Sequence, residues 1–498
     1  MPEQGYILGL DQSTQGTKAL LYDAAGKIIA RSDLPHRQMI DERGWVEHDP
    51  QEILENVYKV TTDVVKKASI NKAEIAAIGI SNQRETAMAW NRKTGKPVYP
   101  AIVWQCARGE AICERLRKLG WAEKIKKSTG LFLSPYFSAA KLAWIMENVE
   151  EARTAAEKGE LCCGTMDSWL VYSLTGGQSF KTDYSNASRT QLFNIVELSW
   201  DKAVCDAFGV KADTLPQVVD SDAFYGKTDL DGYLPEGIPI HAVMGDSHAA
   251  LLGQGCLMPG GVKATYGTGS SVMINTGRKR IDSKKGLVTS LAWSLGGEVN
   301  YVLEGNVNYT GAVISWLKND LGLIQSAAET QNMAKTANPT DTTYLVPAFT
   351  GLGAPYWQNE AKGLITGMTR MTGKNELVKA ALESIAYQIA DVLRLMEEES
   401  GIKITSLRVD GGPTGNEYLM QFQSDIQGCE VLVSDVEELS ASGAAYLAGI
   451  AAGFYDKNKI ASTGNHKVYK TLMNDNKREI LYSGWREAIE RTIQHIDV

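Results

Sequence analysis

Residues Tyr6 to Ile29 read YILGLDQSTQGTKALLYDAAGKII: an apolar strand that ends on Asp11, a turn of small and hydroxyl-bearing residues, and a second apolar strand. Val262 to Asn275, VKATYGTGSSVMIN, repeats the plan in the second half of the chain. Two strand-turn-strand units so far apart imply an α/β protein of two like-folded halves, each presenting its turn to one central cleft.

The chemistry of such turns favours phosphate. In Asp11-Gln12-Ser13-Thr14-Gln15-Gly16-Thr17 and Tyr266-Gly267-Thr268-Gly269-Ser270, small side chains let backbone N–H groups approach an oxyanion while hydroxyls donate further hydrogen bonds. An Asp at the strand end can hold Mg²⁺ through water, since that ion keeps most of its hydration shell. Singly, each turn reads as an ordinary hairpin. As a pair they suit ATP. Neither is a Walker loop, and Gly226-Lys227-Thr228 has Ser221 where that motif requires its first glycine.

Composition narrows the class. At 498 residues the chain exceeds one hydrophobic core, so two domains are expected. An apolar fraction of 44% and a charged fraction of 22% are those of a globular protein. The net charge of −8 argues against a nucleic-acid partner, which calls for a basic footprint. No apolar run reaches the length of a membrane span and no secretory signal pattern opens the chain, so a cytoplasmic setting is expected. Seven cysteines without a CxxC spacing read as reduced thiols in that setting.

Between the two turns, strands and helices alternate. Pro50 to Ser69 reads as a helix, Ile75 to Ile80 as a buried strand, and Ile238 to Gly245 as a strand that delivers Asp246 to its C-terminal end, where open α/β sheets bind ligands. Gly253, Gly255, Pro259, Gly260 and Gly261 mark a connector, giving expected domains 1–252 and 253–498. In the second, Leu407 to Gly412 reads as a strand ending in glycines, Asn416 as the cap of a helix from Glu417 to Gln427, and Gly443 to Gly453 as a close-packing small-residue helix.

Longer motifs carry a resemblance. GWVEHDP at Gly44 to Pro50, SNQRET at Ser81 to Thr86, AIVWQC at Ala101 to Cys106 and YFSAAKLAWIMEN at Tyr136 to Asn148 resemble the FGGY family of carbohydrate kinases. So do TDYSNASRT at Thr182 to Thr190, VPAFTGLGAPYW at Val346 to Trp357 and RVDGG at Arg408 to Gly412. The resemblance runs from Tyr6 to about Trp485, closest to the glycerol-phosphorylating subgroup. It implies the fold of ribonuclease H and the actin-like ATPases, and ATP-dependent phosphorylation of a terminal hydroxyl of glycerol or a related polyol. The alternative is a kinase of a longer polyol or keto sugar, with a non-catalytic nucleotide switch behind it. A homodimer or tetramer is left open.

The resemblance also distributes roles. It makes Asp246 the general base, and Arg84, Glu85, Trp104 and Tyr136 the acceptor-binding residues, with a guanidinium to donate, a carboxylate to accept and an indole as apolar wall. Asp11 and Asp246 would position hydrated Mg²⁺. Thr14, Gln15, Gly16, Lys18 and Thr268 would contact phosphates, while Gly311, Gly412 and Asn416 would line the nucleoside side. The chain departs from the subgroup at Ser247, where Gln is usual, followed by His248, and at Ser271, where Phe is usual. Both serines shorten a pocket side chain, so the acceptor pocket is expected to be wider and more polar. The first turn differs too, with Ser13 for Gly and Lys18 for Arg, and Ser315 replaces a glutamine.

Overall fold

The computed structural model describes residues 5–234, 237–358, 360–436, 438–456 and 466–494. The chain forms two compact units that are not continuous in sequence. Unit 1 comprises Met1–Gly255, Thr289–Tyr301 and Glu438–Thr463; unit 2 comprises Cys256–Val288, Val302–Glu437 and Gly464–Val498. The single cut expected after residue 252 lies three residues from the first crossing, but the chain then returns to unit 1 twice.

In unit 1 the opening motif forms the hairpin Tyr6–Gln12 and Gly16–Tyr22, which sets Asp11 opposite Lys18 and continues antiparallel into Ile28–Pro35. On its other edge Tyr6–Gln12 pairs in parallel with Ile75–Asn82, and that strand in parallel with Ile238–Gly245. The central strands are apolar along their length because both faces are covered. Helix Pro50–Ala68 covers strands Gly16–Tyr22 and Ile28–Pro35. It starts where Asp49 accepts from the Gln51 N–H at 2.9 Å, and it buries Ile53, Val57, Val60 and Val64 at helical spacing.

Helix Leu439–Ala451 belongs to the same unit, packed on helix Asp246–Gly253 and strand Ile75–Asn82. Its small residues explain the return. A Cβ on Gly443 would lie 1.9 Å from the carbonyl oxygen of Ala249, so only glycine admits this approach.

Unit 2 repeats the design. Hairpin Val262–Tyr266 and Ser270–Gly277 pairs in parallel through its first strand with Ser406–Asp410, which pairs in parallel with Glu430–Ser434. Glu298–Val307 flanks the hairpin on the other edge. Both sheets therefore set the hairpin between a flanking strand on one edge and two successive parallel strands on the other, with Val288–Leu295 lying beyond Glu298–Val307 in the second sheet. That repeated frame agrees with the two like-folded halves read from the two turns and with the ribonuclease H and actin-like arrangement that the family resemblance implies.

Candidate active site

Strand ends position the unit 1 residues. Ile75–Asn82 runs into Gln83, Arg84 and Glu85, and Ile238–Gly245 delivers Asp246 to the first position of helix Asp246–Gly253. Arg84 Nε lies 3.2 Å from Asp246 Oδ1; the guanidinium side chain is buried, whereas a third of the Asp246 side chain is open to solvent. Glu85 is buried, adopts φ +60°, and accepts from Arg189 Nε at 2.5 Å. Trp104 packs its ring against Tyr136 with centroids 5.4 Å apart, and its indole N–H donates to Thr14 Oγ1 at 2.9 Å. The side chain expected as an apolar wall is thus also a hydrogen-bond tether to the turn of the first hairpin.

Asp11 is buried and accepts from the Ser81 hydroxyl. Burial pushes its carboxyl up to about 6; the Ser81 hydrogen bond and Lys18 oppose this, while Asp246 and Glu438 add to it. A buried carboxylate whose charge is disfavoured, with a second carboxylate among the causes, is an environment a divalent cation relieves. Among the described residues no group of three or more His, Cys, Asp or Glu side chains could hold a metal directly. The carboxylates of Asp11 and Asp246 are hard oxygen donors of the kind that hold an ion through its water shell.

The first turn is closed by its own residues. Gly16 carbonyl oxygen accepts from the Ser13 N–H at 2.9 Å and the Ser13 hydroxyl at 3.0 Å, and the exposed Gln15 accepts from the His36 N–H through its carbonyl at 3.3 Å. Lys18 Nζ donates to Glu438 Oε2 at 2.6 Å, and Arg31 pairs with the other Glu438 oxygen at 2.9 Å. Sequence reasoning gave Lys18 no such partner, and nothing near it in the chain announces Glu438.

In unit 2, the turn Gly267–Gly269 docks onto the start of helix Gly311–Asn319. The N–H groups of Thr310 and Ala312 both donate to the Thr268 carbonyl at 3.0 Å, and that of Gly311 to the Gly267 carbonyl at 2.9 Å. A Cβ on Gly311 would lie 2.7 Å from that same oxygen, so the glycine is needed for the turn to seat. Gly311, Gly412 and Asn416 come together in one pocket, walled by Ile314, Leu382, Ile385, Pro413 and Leu419 and edged by Ser315 and Gln331. Asn416 caps helix Glu417–Gln427 through Leu419 N–H at 3.0 Å and donates to Thr330 Oγ1 at 3.0 Å. Ser271 donates to the buried Glu304 at 3.2 Å.

Of the departures next to Asp246, Ser247 donates its backbone N–H to Asp246 Oδ1 at 2.5 Å, and His248 is buried with its Nε2 3.4 Å from Ser290 Oγ. Sequence reasoning missed Ser81, Arg189, Glu438 and Lys141. The buried Lys141 ammonium donates to the carbonyls of Pro135 and Tyr136, both at 2.6 Å, and of Phe137 at 3.2 Å, fixing the segment that carries Tyr136. Arg189 and Lys141 lie inside motifs that were quoted for their resemblance without a role being assigned. All seven cysteines are buried and unpaired by disulfide, and among the described residues no helix is long and apolar enough to cross a membrane.

Two nucleotide-type hairpins on a duplicated fold, one beside a paired Arg and Asp at a strand end, define a sugar-kinase class of site. The chain belongs to the FGGY family of carbohydrate kinases: its N-terminal domain model matches residues 6–253 and its C-terminal domain model residues 262–452. It is similar to the glycerol kinase of Caldanaerobacter subterraneus subsp. tengcongensis, 48% identical over 98% of this chain and 99% of the relative. Glycerol kinase 2 of Thermotoga maritima is likewise 48% identical, over 98% of this chain and 99% of its own. A crystal structure of Plasmodium falciparum glycerol kinase with ADP matches with a TM-score of 0.93 at 36% identity, covering 98% of both chains. Gluconate kinase from Lactobacillus acidophilus, at 22% identity and a TM-score of 0.87 over 98% of this chain and 97% of its own, shares the fold.

Proposed function

We propose that this chain transfers the γ-phosphoryl group of ATP to a terminal hydroxyl of glycerol or a related polyol, giving glycerol 3-phosphate or the equivalent phosphate. The observation that carries this reading is the Arg84–Asp246 pair at 3.2 Å with Glu85 in the adjoining position. A half-open carboxylate beside a cation and a second, buried carboxylate suits an acceptor with neighbouring hydroxyls.

In this mechanism Arg84 donates to and Glu85 accepts from hydroxyls of the polyol, while Trp104 and Tyr136 cover its carbon skeleton. Asp246 takes the proton of the attacking hydroxyl as the new P–O bond forms and the bond to the ADP oxygen breaks. The unit 2 pocket, lined by Gly311, Gly412 and Asn416, suits the nucleoside, and Thr14, Gln15, Gly16, Lys18 and Thr268 suit the phosphates. Lys18 reaches a phosphate only by sharing or exchanging its pairing with Glu438. Asp11 and Asp246 would hold a hydrated Mg²⁺, which when bound neutralises charge on the phosphates.

A coupled assay of ADP formation over glycerol, erythritol, xylitol, ribitol, dihydroxyacetone and xylulose tests the reading. Turnover should be confined to polyols and to dihydroxyacetone at most. Preference for xylulose over every polyol would move the chain to the keto-sugar branch. Ser247 and Ser271, both shorter than the usual residues, favour the four- and five-carbon polyols as additional substrates.

A further inference from the structure

The segment TDYSNASRT, Thr182–Thr190, has no part in the mechanism above, yet it is tied to both strand ends that carry the acceptor residues. Its helical turn Tyr184–Ala187 begins at Asp183, a fully buried carboxylate. Asp183 accepts from the Ser185 N–H, the Ser185 hydroxyl, the Asn186 N–H and the Asn186 amide, each at 2.9 Å, and from Ser221 Oγ at 2.8 Å. Ser185 Oγ in turn accepts from the Gly245 N–H at 2.9 Å, one residue before Asp246.

The other strand end is gripped twice. Asn186 and Asn82 exchange side-chain amide hydrogen bonds at 2.9 and 3.0 Å. Three residues on from each, Arg189 meets Glu85 at 2.5 Å, with 1% and 2% of the two side chains exposed. Glu85 holds a left-handed backbone at φ +60°, its carbonyl accepts from Ser138 Oγ at 3.0 Å, and the Arg189 guanidinium lies 5.1 Å from the Phe137 ring centroid. A buried ion pair is a poor source of net stability, and a strained non-glycine residue persists only where its surroundings over-determine it. Both features gather where geometry serves function.

We propose that Arg189 is a positioning residue of the acceptor site: it fixes the Glu85 carboxylate in the orientation that accepts a substrate hydroxyl, and touches no reacting atom itself. The inference rests on the reading of Glu85 as an acceptor-binding residue. The charged groups around the pair are Arg84 next to Glu85 in the chain, its partner Asp246, and the buried Lys141, whose ammonium form the Glu85 charge favours against burial.

Steady-state kinetics on the native protein and on E85Q, R189M, R189K and the double variant E85Q/R189M test it, with a melting temperature for each. R189M should lower kcat/KM for glycerol by roughly 30-fold or more, the scale for truncating one member of a buried charge pair, with the KM for ATP unchanged. R189K, which keeps the charge, should show a smaller defect of the same kind. The double variant should be no worse than E85Q alone, because Arg189 acts through Glu85. The proposal is overturned if R189M melts lower but keeps the native KM for glycerol, or if its loss multiplies with that of E85Q. Should R189M fail to fold, R189K with native glycerol kinetics overturns it equally. An E85Q variant with native glycerol kinetics would remove the underlying placement of Glu85 as well, which separates the two failures.

Discussion

The charged cluster of unit 1, proposed for the acceptor, and the pocket of unit 2, proposed for the nucleoside, are built in opposite ways. Around Arg84, Glu85 and Asp246, charged side chains are buried or half-buried and embedded in further polar pairings: Arg189 with Glu85, Ser81 with Asp11, and Asn82 with Asn186. In the pocket of unit 2, aliphatic walls and glycines dominate, and the prominent polar side chain, Asn416, has its carbonyl on a helix cap and its amide on Thr330. The difference teaches where selectivity resides. A site that fixes charges discriminates among hydroxyl patterns, whereas one formed from backbone and aliphatic surface discriminates by shape.

The comparison breaks first at Asp246. Asp246→Asn should fold and bind ATP as the native protein does, yet lose about 10² to 10⁴-fold in kcat, the usual weight of a general base. Near-native turnover in the purified variant would take Asp246 out of the chemistry. Asp11→Asn probes the same side through the metal. Because its carboxylate would act through metal-bound water, the Mg²⁺ concentration for half-maximal activity should rise about 10- to 100-fold, read from a magnesium titration at fixed ATP and glycerol. An unchanged titration midpoint separates Asp11 from the ion.

Two smaller effects sharpen the contrast. Ser247→Gln combined with Ser271→Phe should shift the ratio of specificity constants towards glycerol over longer polyols by about 1 to 3 kcal/mol, the value of one pocket contact. A native preference for glycerol over all longer polyols, with the ratio unmoved in the double variant, rejects the wider pocket. In unit 2, Asn416→Ala removes a helix cap, so the loss should appear as about 1 kcal/mol of stability with little change in the KM for ATP. A large rise in that KM at an unchanged melting temperature would mean that Asn416 serves the nucleotide rather than its helix.

The legibility of the chain follows the range of its interactions. Hairpins, the capped helices at Asp49 and Asn416, and a strand that ends on Asp246 are local patterns, and each lies where the residues imply. The return of Leu439–Ala451 to unit 1 was not legible, because a small-residue helix looks the same whichever sheet it packs on. Nor was the Lys18–Glu438 pair, whose members are 420 positions apart, or the Arg189–Glu85 pair, 104 apart. Long-range ion pairs leave no periodic trace. The repeated spacing of three, Asn82 to Glu85 and Asn186 to Arg189, can be matched only once the two turns are known to touch.

The most direct test of phosphoryl transfer to a bound polyol is a product balance: ADP and phosphorylated polyol measured together, with glycerol present and absent. The account predicts one ADP for each glycerol phosphate formed and almost no ADP without acceptor. ADP released at the same rate with no polyol, and no phosphorylated product when one is supplied, would contradict it and leave the chain a nucleotide-hydrolysing switch.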